Sequence, residues 1–136
     1  MLYHLNIGSN LGDRQANLSS AIEALKQVGK VTAVSSIVKS EPWGYKSDNA
    51  FMNVGVNLDS ALDPMQLLHQ CQAIERKLGS ASHRDAGGNY VDRLVDIDII
   101  LAGDLTINTP KLTIPHPHMH ERDFVMQPLQ EIWTTR

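Results

Sequence analysis

The spacing of apolar residues switches repeatedly between two periods along this chain, and that switching limits the available folds more than any single motif does. Leu18, Ala21, Ile22, Leu25 and Val28 recur at intervals of three and four, which gathers them on one stripe of a helix. From Phe51 the period drops to two. Met52, Val54, Val56 and Leu58 then share one face of a strand, and Phe51, Asn53, Gly55 and Asn57 share the other. Helical spacing returns at Leu67, Cys71, Ile74 and Leu78, and strand spacing at Val95, Ile97, Ile99 and Leu101.

A short strand over 2–7 and a second, rich in Val, Thr and Ile, over 31–39 complete the order β-α-β-β-α-β. With hairpin connections this order predicts an α+β fold, a ferredoxin-like sandwich of mainly antiparallel sheet with flanking helices. The boundaries carry their own signals. Gly8-Ser9-Asn10-Leu11-Gly12-Asp13 is a turn cluster that ends the first strand, and Gly29 is expected to stop the first helix. Asp63-Pro64-Met65-Gln66 places an N-cap, a proline at the first helical position and a capping-box glutamine in sequence. Gly79 ends that helix, residues 40–49 and 80–90 read as loops, and a short helix or helices should run from Arg122 to Trp133.

The 136 residues make one domain, 1–136. Twelve Lys and Arg against fifteen Asp and Glu leave a net charge of -3, which disfavours partners such as a nucleic-acid backbone or an anionic membrane. No apolar run approaches the ~20 residues that span a bilayer, and the first ten residues carry no basic leader. A single cysteine, Cys71, excludes an intrachain disulfide and reads as core filler. The expectation is a cytoplasmic protein, monomeric because no long apolar stripe is left over once the core is assigned.

Asp96-Ile97-Asp98 is the strongest chemical constellation. Residues i and i+2 of a strand point the same way with Cα atoms ~6.5 to 7 Å apart, so the two carboxylates can converge on shared cations. Two rigid carboxylates suit Mg²⁺, which keeps waters and takes its other oxygens from substrate phosphates. The competing reading, aspartates that merely face water, fits less well with their place inside an apolar strand. Arg93, Lys111 and Arg122 flank the pair and are candidate phosphate partners, although each alone reads equally as a solvated charge. His116, His118 and His120 invite a transition-metal reading, against which stand Pro117, which breaks regular alternation, and the lack of a neighbouring cysteine. A hydrogen-bonding His116 with two incidental neighbours is favoured. The glycine-containing turn lacks the Gly-Lys-Ser/Thr ending of a phosphate loop and reads as a tight turn with Asp13 near the helix start. Gln72 and Glu75 lie on one flank of the second helix and, taken singly, read as surface polars.

In order, these pieces resemble the 6-hydroxymethyl-7,8-dihydropterin pyrophosphokinase family. The resemblance runs from Ile7 to Ile132. It is carried by Ile7-Gly8-Ser9-Asn10-Leu11-Gly12-Asp13, Phe51-Met52-Asn53, Gln72 with Glu75, Arg93-Leu94-Val95-Asp96-Ile97-Asp98-Ile99-Ile100, Leu112-Thr113-Ile114-Pro115-His116-Pro117, and Arg122-Asp123-Phe124-Val125 with Pro128-Leu129. The resemblance implies transfer of the β,γ-pyrophosphoryl unit of ATP to the hydroxymethyl oxygen of a dihydropterin, with release of AMP. It implies two Mg²⁺ ions at Asp96 and Asp98. It puts the pterin between Phe51 and Phe124, with Asn53 and the stretch containing Ser40, Glu41 and Trp43 at its edge. ATP-contacting positions fall on Gln72, Glu75, Arg93, Ile99, Lys111, Thr113, His116 and Arg122, and Arg84, Arg93, His116 and Arg122 are the expected catalytic side chains.

The chain also departs from the family pattern. Gly79-Ser80-Ala81-Ser82 stands where a Gly-Arg-x-Arg run is usual, so two loop arginines are absent and Arg84 is the nearest substitute. Tyr90-Val91-Asp92 replaces a Trp-Gly-Pro run, and Glu41 and Trp43 replace smaller or apolar residues. These departures leave a second reading, a homologue that binds pterin or nucleotide but transfers slowly. A third, an RNA-binding or interaction module on the same kind of sheet, is opposed by the acidic charge and the scarcity of aromatics.

Overall fold

A computed structural model describes residues 1–41, 50–79 and 94–133. Among the described residues, seven strands and three helices follow one another as β1 (Leu2–Ser9), α1 (Arg14–Leu25), β2 (Lys30–Val34), β3 (Val38–Ser40), β4 (Phe51–Asp59), α2 (Pro64–Lys77), β5 (Asp96–Ala102), β6 (Ile107–Asn108), β7 (Thr113–Ile114) and α3 (Asp123–Ile132), with a 3-10 turn at Met119–Glu121 before α3. The fold is a mixture of helices and antiparallel sheet, as the alternating periods predict.

β1 is central. It pairs antiparallel with β4 from Leu2↔Asp59 to Ser9↔Met52, and on its other side with β5, where the register shifts between His4 and Leu5. β2 and β3 both pair with β4, giving the order β2-β4-β1-β5. The strand expected over 31–39 is therefore two strands. The break falls at Ser35, whose N–H still donates to the Gly55 carbonyl of β4 (2.9 Å) but whose Oγ, rather than a main-chain carbonyl, accepts the Gly55 N–H (2.8 Å), so the ladder lapses for a few residues.

On one face Tyr3, Leu5 and Ile7 of β1, Val54, Val56 and Leu58 of β4, and Ile97 and Ile99 of β5 meet Leu18, Ala21 and Leu25 of α1 and Leu67, Cys71 and Ile74 of α2. Cys71 is the core filler its position predicts. The capping box is present as read, with Gln66 N–H donating to Asp63 Oδ1 (2.8 Å) and Asp63 N–H to Gln66 Oε1 (2.9 Å). Asp13 caps α1 by accepting the Ala16 N–H.

The expectation for Gly29 needs correction. α1 ends at Leu25, so Gly29 does not stop it; Gly29 is required because a Cβ there would lie 2.6 Å from the Asp59 carbonyl oxygen of β4. On the opposite face of β4, Phe51, Asn53, Gly55 and Asn57 are all buried. α3 covers part of that face through a second, smaller core of Ile100, Met119, Val125 and Leu129.

Candidate active site

Because Ile97 and Ile99 point into the larger core, Asp96 and Asp98 point to the opposite face of the sheet, where both are half-buried. The register then fixes their neighbours. Asp96 stands beside Gly8, and Gly8 beside Asn53; one pleat along, Asp98 stands beside Asn6, and Asn6 beside Gly55. Three adjacent strands thus contribute two rows of polar or side-chain-free positions to one surface.

Gly8 keeps the middle of the first row low. A Cβ there would sit 3.0 Å from Asn53 Oδ1 and 3.2 Å from Phe51 Cδ1, so the Phe51 ring and the Asn53 oxygen both reach over this position. Asn53 is oriented by β3. Its Nδ2 donates to the Val38 carbonyl (3.1 Å) and to Ser40 Oγ (2.8 Å), so its amide protons are turned toward β3 and its oxygen toward Gly8. Glu41 is exposed next to Ser40.

Phe124 and Arg122 arrive from the start of α3. The Phe124 carbonyl accepts a hydrogen bond from Asn6 Nδ2 (2.9 Å), which ties this turn of the helix to the sheet beside Asp98. The Arg122 guanidinium lies 5.7 Å from the centre of the Phe124 ring. His116 is placed by its own N–H, which donates to the Ile100 carbonyl of β5 (3.0 Å). Its Nδ1 accepts the His118 N–H (3.2 Å), so in the neutral ring the proton sits on Nε2. Burial pushes the His116 pKa down to about 4, helped by the charges of Arg122 and His118 and opposed by Asp96. At neutral pH this imidazole is a neutral Nε2–H donor close to Asp96 and Arg122. His118 pairs instead with Glu121 (3.1 Å), and His120 is exposed on the 3-10 turn.

The residues expected to contact a nucleotide are spread along the β5 edge. Glu75 is not a surface polar: it is buried on α2, and its Oε2 accepts the Ile97 N–H of β5 at 2.8 Å. Burial, with the charges of Glu75 and Asp98, pushes the nearby Cys71 thiol up to about 12, which keeps it protonated and inert. Gln72 is half-buried one turn before Glu75, Thr113 is half-buried on β7, and Lys111 is exposed in the β6–β7 turn. Ile99 has its side chain in the larger core, which leaves only its main chain to meet a ligand. Trp43, Arg84 and Arg93 lie outside the described residues.

Asn6 was not among the sequence-derived candidates. Its signal was the alternation of Tyr3, Leu5 and Ile7 with His4, Asn6 and Gly8, which gives β1 one apolar and one polar face. Arg14 of α1 donates to the Ala50 carbonyl at the foot of β4 (2.9 Å).

The family model for 7,8-dihydro-6-hydroxymethylpterin-pyrophosphokinase (HPPK) matches residues 4–134. Among curated relatives, the 2-amino-4-hydroxy-6-hydroxymethyldihydropteridine pyrophosphokinase of Porphyromonas gingivalis is 44% identical over 133 residues, spanning 96% of this chain and 90% of that protein. The enzyme of the same name from Bacillus subtilis is 40% identical over 131 residues, spanning 95% and 76%. Among solved structures, HPPK-DHPS in complex with substrates superimposes with a TM-score of 0.68 at 14% identity, and wild-type Plasmodium falciparum HPPK-DHPS with pteroate with a TM-score of 0.72 at 16%. Each is covered over 96% of this chain but only 40% and 38% of its own, so this likeness is one of fold.

Proposed function

The chain belongs to the 7,8-dihydro-6-hydroxymethylpterin-pyrophosphokinase family, and on that basis we propose that it transfers the pyrophosphoryl group of ATP to 6-hydroxymethyl-7,8-dihydropterin, yielding AMP and the pterin diphosphate in folate biosynthesis. The sheet order β2-β4-β1-β5 supports reading its architecture as a ferredoxin-like sandwich. The observation that carries the functional reading is the shared face on which Asp96 and Asp98 stand beside Asn6 and Gly8, with Phe51 and Asn53 on the next strand.

A pterin is flat and edged with donors and acceptors, which suits a ring-lined slot with a fixed amide. Phe51 and Phe124 supply the rings. The oxygen of Asn53, held by β3, and the segment containing Ser40, Glu41 and Trp43 read the edge. The hydroxymethyl group then points toward the carboxylate rows. Asp96 and Asp98 offer two hard oxygen donors on one rigid strand face, a donor set that fits Mg²⁺. When bound there, two such ions would offset phosphate charge and fix the β-phosphoryl group for in-line attack.

The remaining work is positioning and charge neutralisation. Arg122, Lys111 and Arg93 supply cations to the phosphates. His116, with its proton on Nε2, donates to a phosphate oxygen rather than abstracting a proton from the attacking hydroxyl. Gln72, Thr113 and the main chain at Ile99 hold the nucleoside, and Glu75 shapes that edge through its bond to Ile97. Arg84 takes over part of the charge neutralisation that the arginines absent at Ser80 and Ser82 would give, so Arg84→Ala lowers kcat more than it weakens ATP binding.

Replacement of either aspartate tests the reading. Asp96→Asn and Asp98→Asn should each reduce Mg²⁺-supported AMP formation by on the order of a hundredfold or more, as loss of one charge-stabilising group does. Their circular dichroism should remain that of the parent. Near-parental turnover in either variant would remove the two carboxylates from the site.

A further inference from the structure

α3 carries a proline in its interior, Pro128, whose backbone nitrogen has no proton. Four residues earlier, the carbonyl that this missing proton would satisfy is that of Phe124. That carbonyl is the acceptor for Asn6 Nδ2, at 2.9 Å. Asn6 is itself buried, and the residues beside it in the sheet are Asp98 and Gly55. Gly55 is where the proline ring comes down: a Cβ on Gly55 would lie 2.6 Å from Pro128 Cβ. The break in the helix ladder and the close approach of helix to sheet therefore fall on one side chain and its neighbour.

We propose that Asn6 is the positioning residue for the Phe124 ring: by taking the place of the N–H that Pro128 lacks, it sets the seat of the first turns of α3 against the sheet, and with it the width of the slot between Phe51 and Phe124. This rests on the pterin-slot reading above. The distances fit the role. Asn6 and Gly8 point to the same face about 6.5–7 Å apart along β1, so the Phe124 turn is tied down one station from the Phe51 ring that overhangs Gly8. The far end of α3 is held in the same manner, by Asn57 Nδ2 donating to the Ile132 carbonyl (2.8 Å). With both ends fixed by sheet amides, the helix has little freedom to re-seat.

The proline supplies the test. Asn6→Ala should weaken dihydropterin binding about five- to tenfold, the equivalent of one buried neutral hydrogen bond, with ATP binding unchanged within twofold. Pro128→Ala keeps the Cβ that packs on Gly55 and restores a helix N–H to the Phe124 carbonyl. In the Asn6→Ala background it should recover most of the lost pterin affinity and of the amide-exchange protection of residues 124–128. Equal losses for pterin and ATP, or a double variant no better than Asn6→Ala alone, would overturn the proposal. The exchange measurement needs no ligand, so coupling between positions 6 and 128 without any pterin effect would show that the helix seat is as described and that the slot reading is what failed.

Discussion

Gly8 shows how much of the site depends on a single missing side chain. With Phe51 and Asn53 both reaching over it, an alanine there must displace one of them, and Asn53 is held by two hydrogen bonds to β3. The ring is the part that can move. Gly8→Ala should therefore weaken dihydropterin binding by roughly tenfold, the scale of 1–3 kcal/mol of overpacking strain, while ATP binding holds. Calorimetric titration with each ligand separates the two, and an equal loss for both would mean that the sheet had been disturbed. At this scale the sequence was uneven as a guide. Asp96 and Asp98 were legible because strand periodicity alone puts i and i+2 on one side. Glu75 was not: helical spacing placed it on a flank, but only the approach of the β5 edge turns that flank into an interior and gives the carboxylate an N–H to accept.

Among the elements, α2 is the one whose ends could be read in full, since Asp63, Pro64, Gln66 and Gly79 each act through local geometry. Asp63→Ala should lower stability by about 1 kcal/mol through loss of the cap, measurable as a shift in denaturant midpoint with unchanged slope. α2 also steadies the strand that carries the aspartates. Glu75→Ala leaves the Ile97 N–H without its acceptor and should cost about 1–3 kcal/mol, whereas Glu75→Gln keeps an oxygen acceptor and should cost less. Equal costs for the two would show that charge, and not the bond to β5, is what Glu75 contributes. The split of the second strand and the true role of Gly29 were illegible for one reason: both are set by partners distant in sequence, the Gly55 N–H and the Asp59 carbonyl, which no local pattern announces.

For the whole molecule, the central strands β1 and β4 are buried on both faces, and the second face mixes polar groups with α3. His4 is fully buried there: its Nδ1 pairs with Asn57 Oδ1 at 2.8 Å, and its ring meets Trp133 edge-on at 5.9 Å. Since Asn57 gives its amide proton to Ile132, the His4 Nδ1 is the donor in that pair. Burial lowers the His4 pKa, outweighing its bond to Asn57, and lowers that of His116 to about 4. Both imidazoles bind protons more weakly folded than unfolded, so their contribution to stability is complete above the unfolded value of ~6.5 and is lost as the pH falls below it. Between pH 7.5 and 5 the melting temperature should drop, with His4 contributing at most about 1.4 kcal/mol per pH unit and the partly solvated His116 less. His4→Gln should flatten that dependence, and a profile equally steep in the variant would assign it elsewhere.

The central claim is the identity of the group transferred, and phosphorus NMR of the reaction mixture addresses it most directly. With ATP, Mg²⁺ and 6-hydroxymethyl-7,8-dihydropterin, the account predicts equimolar AMP and a new diphosphate ester on the pterin, with neither formed when the pterin is left out. ADP with a pterin monophosphate, or AMP with free pyrophosphate and unchanged pterin, would contradict it.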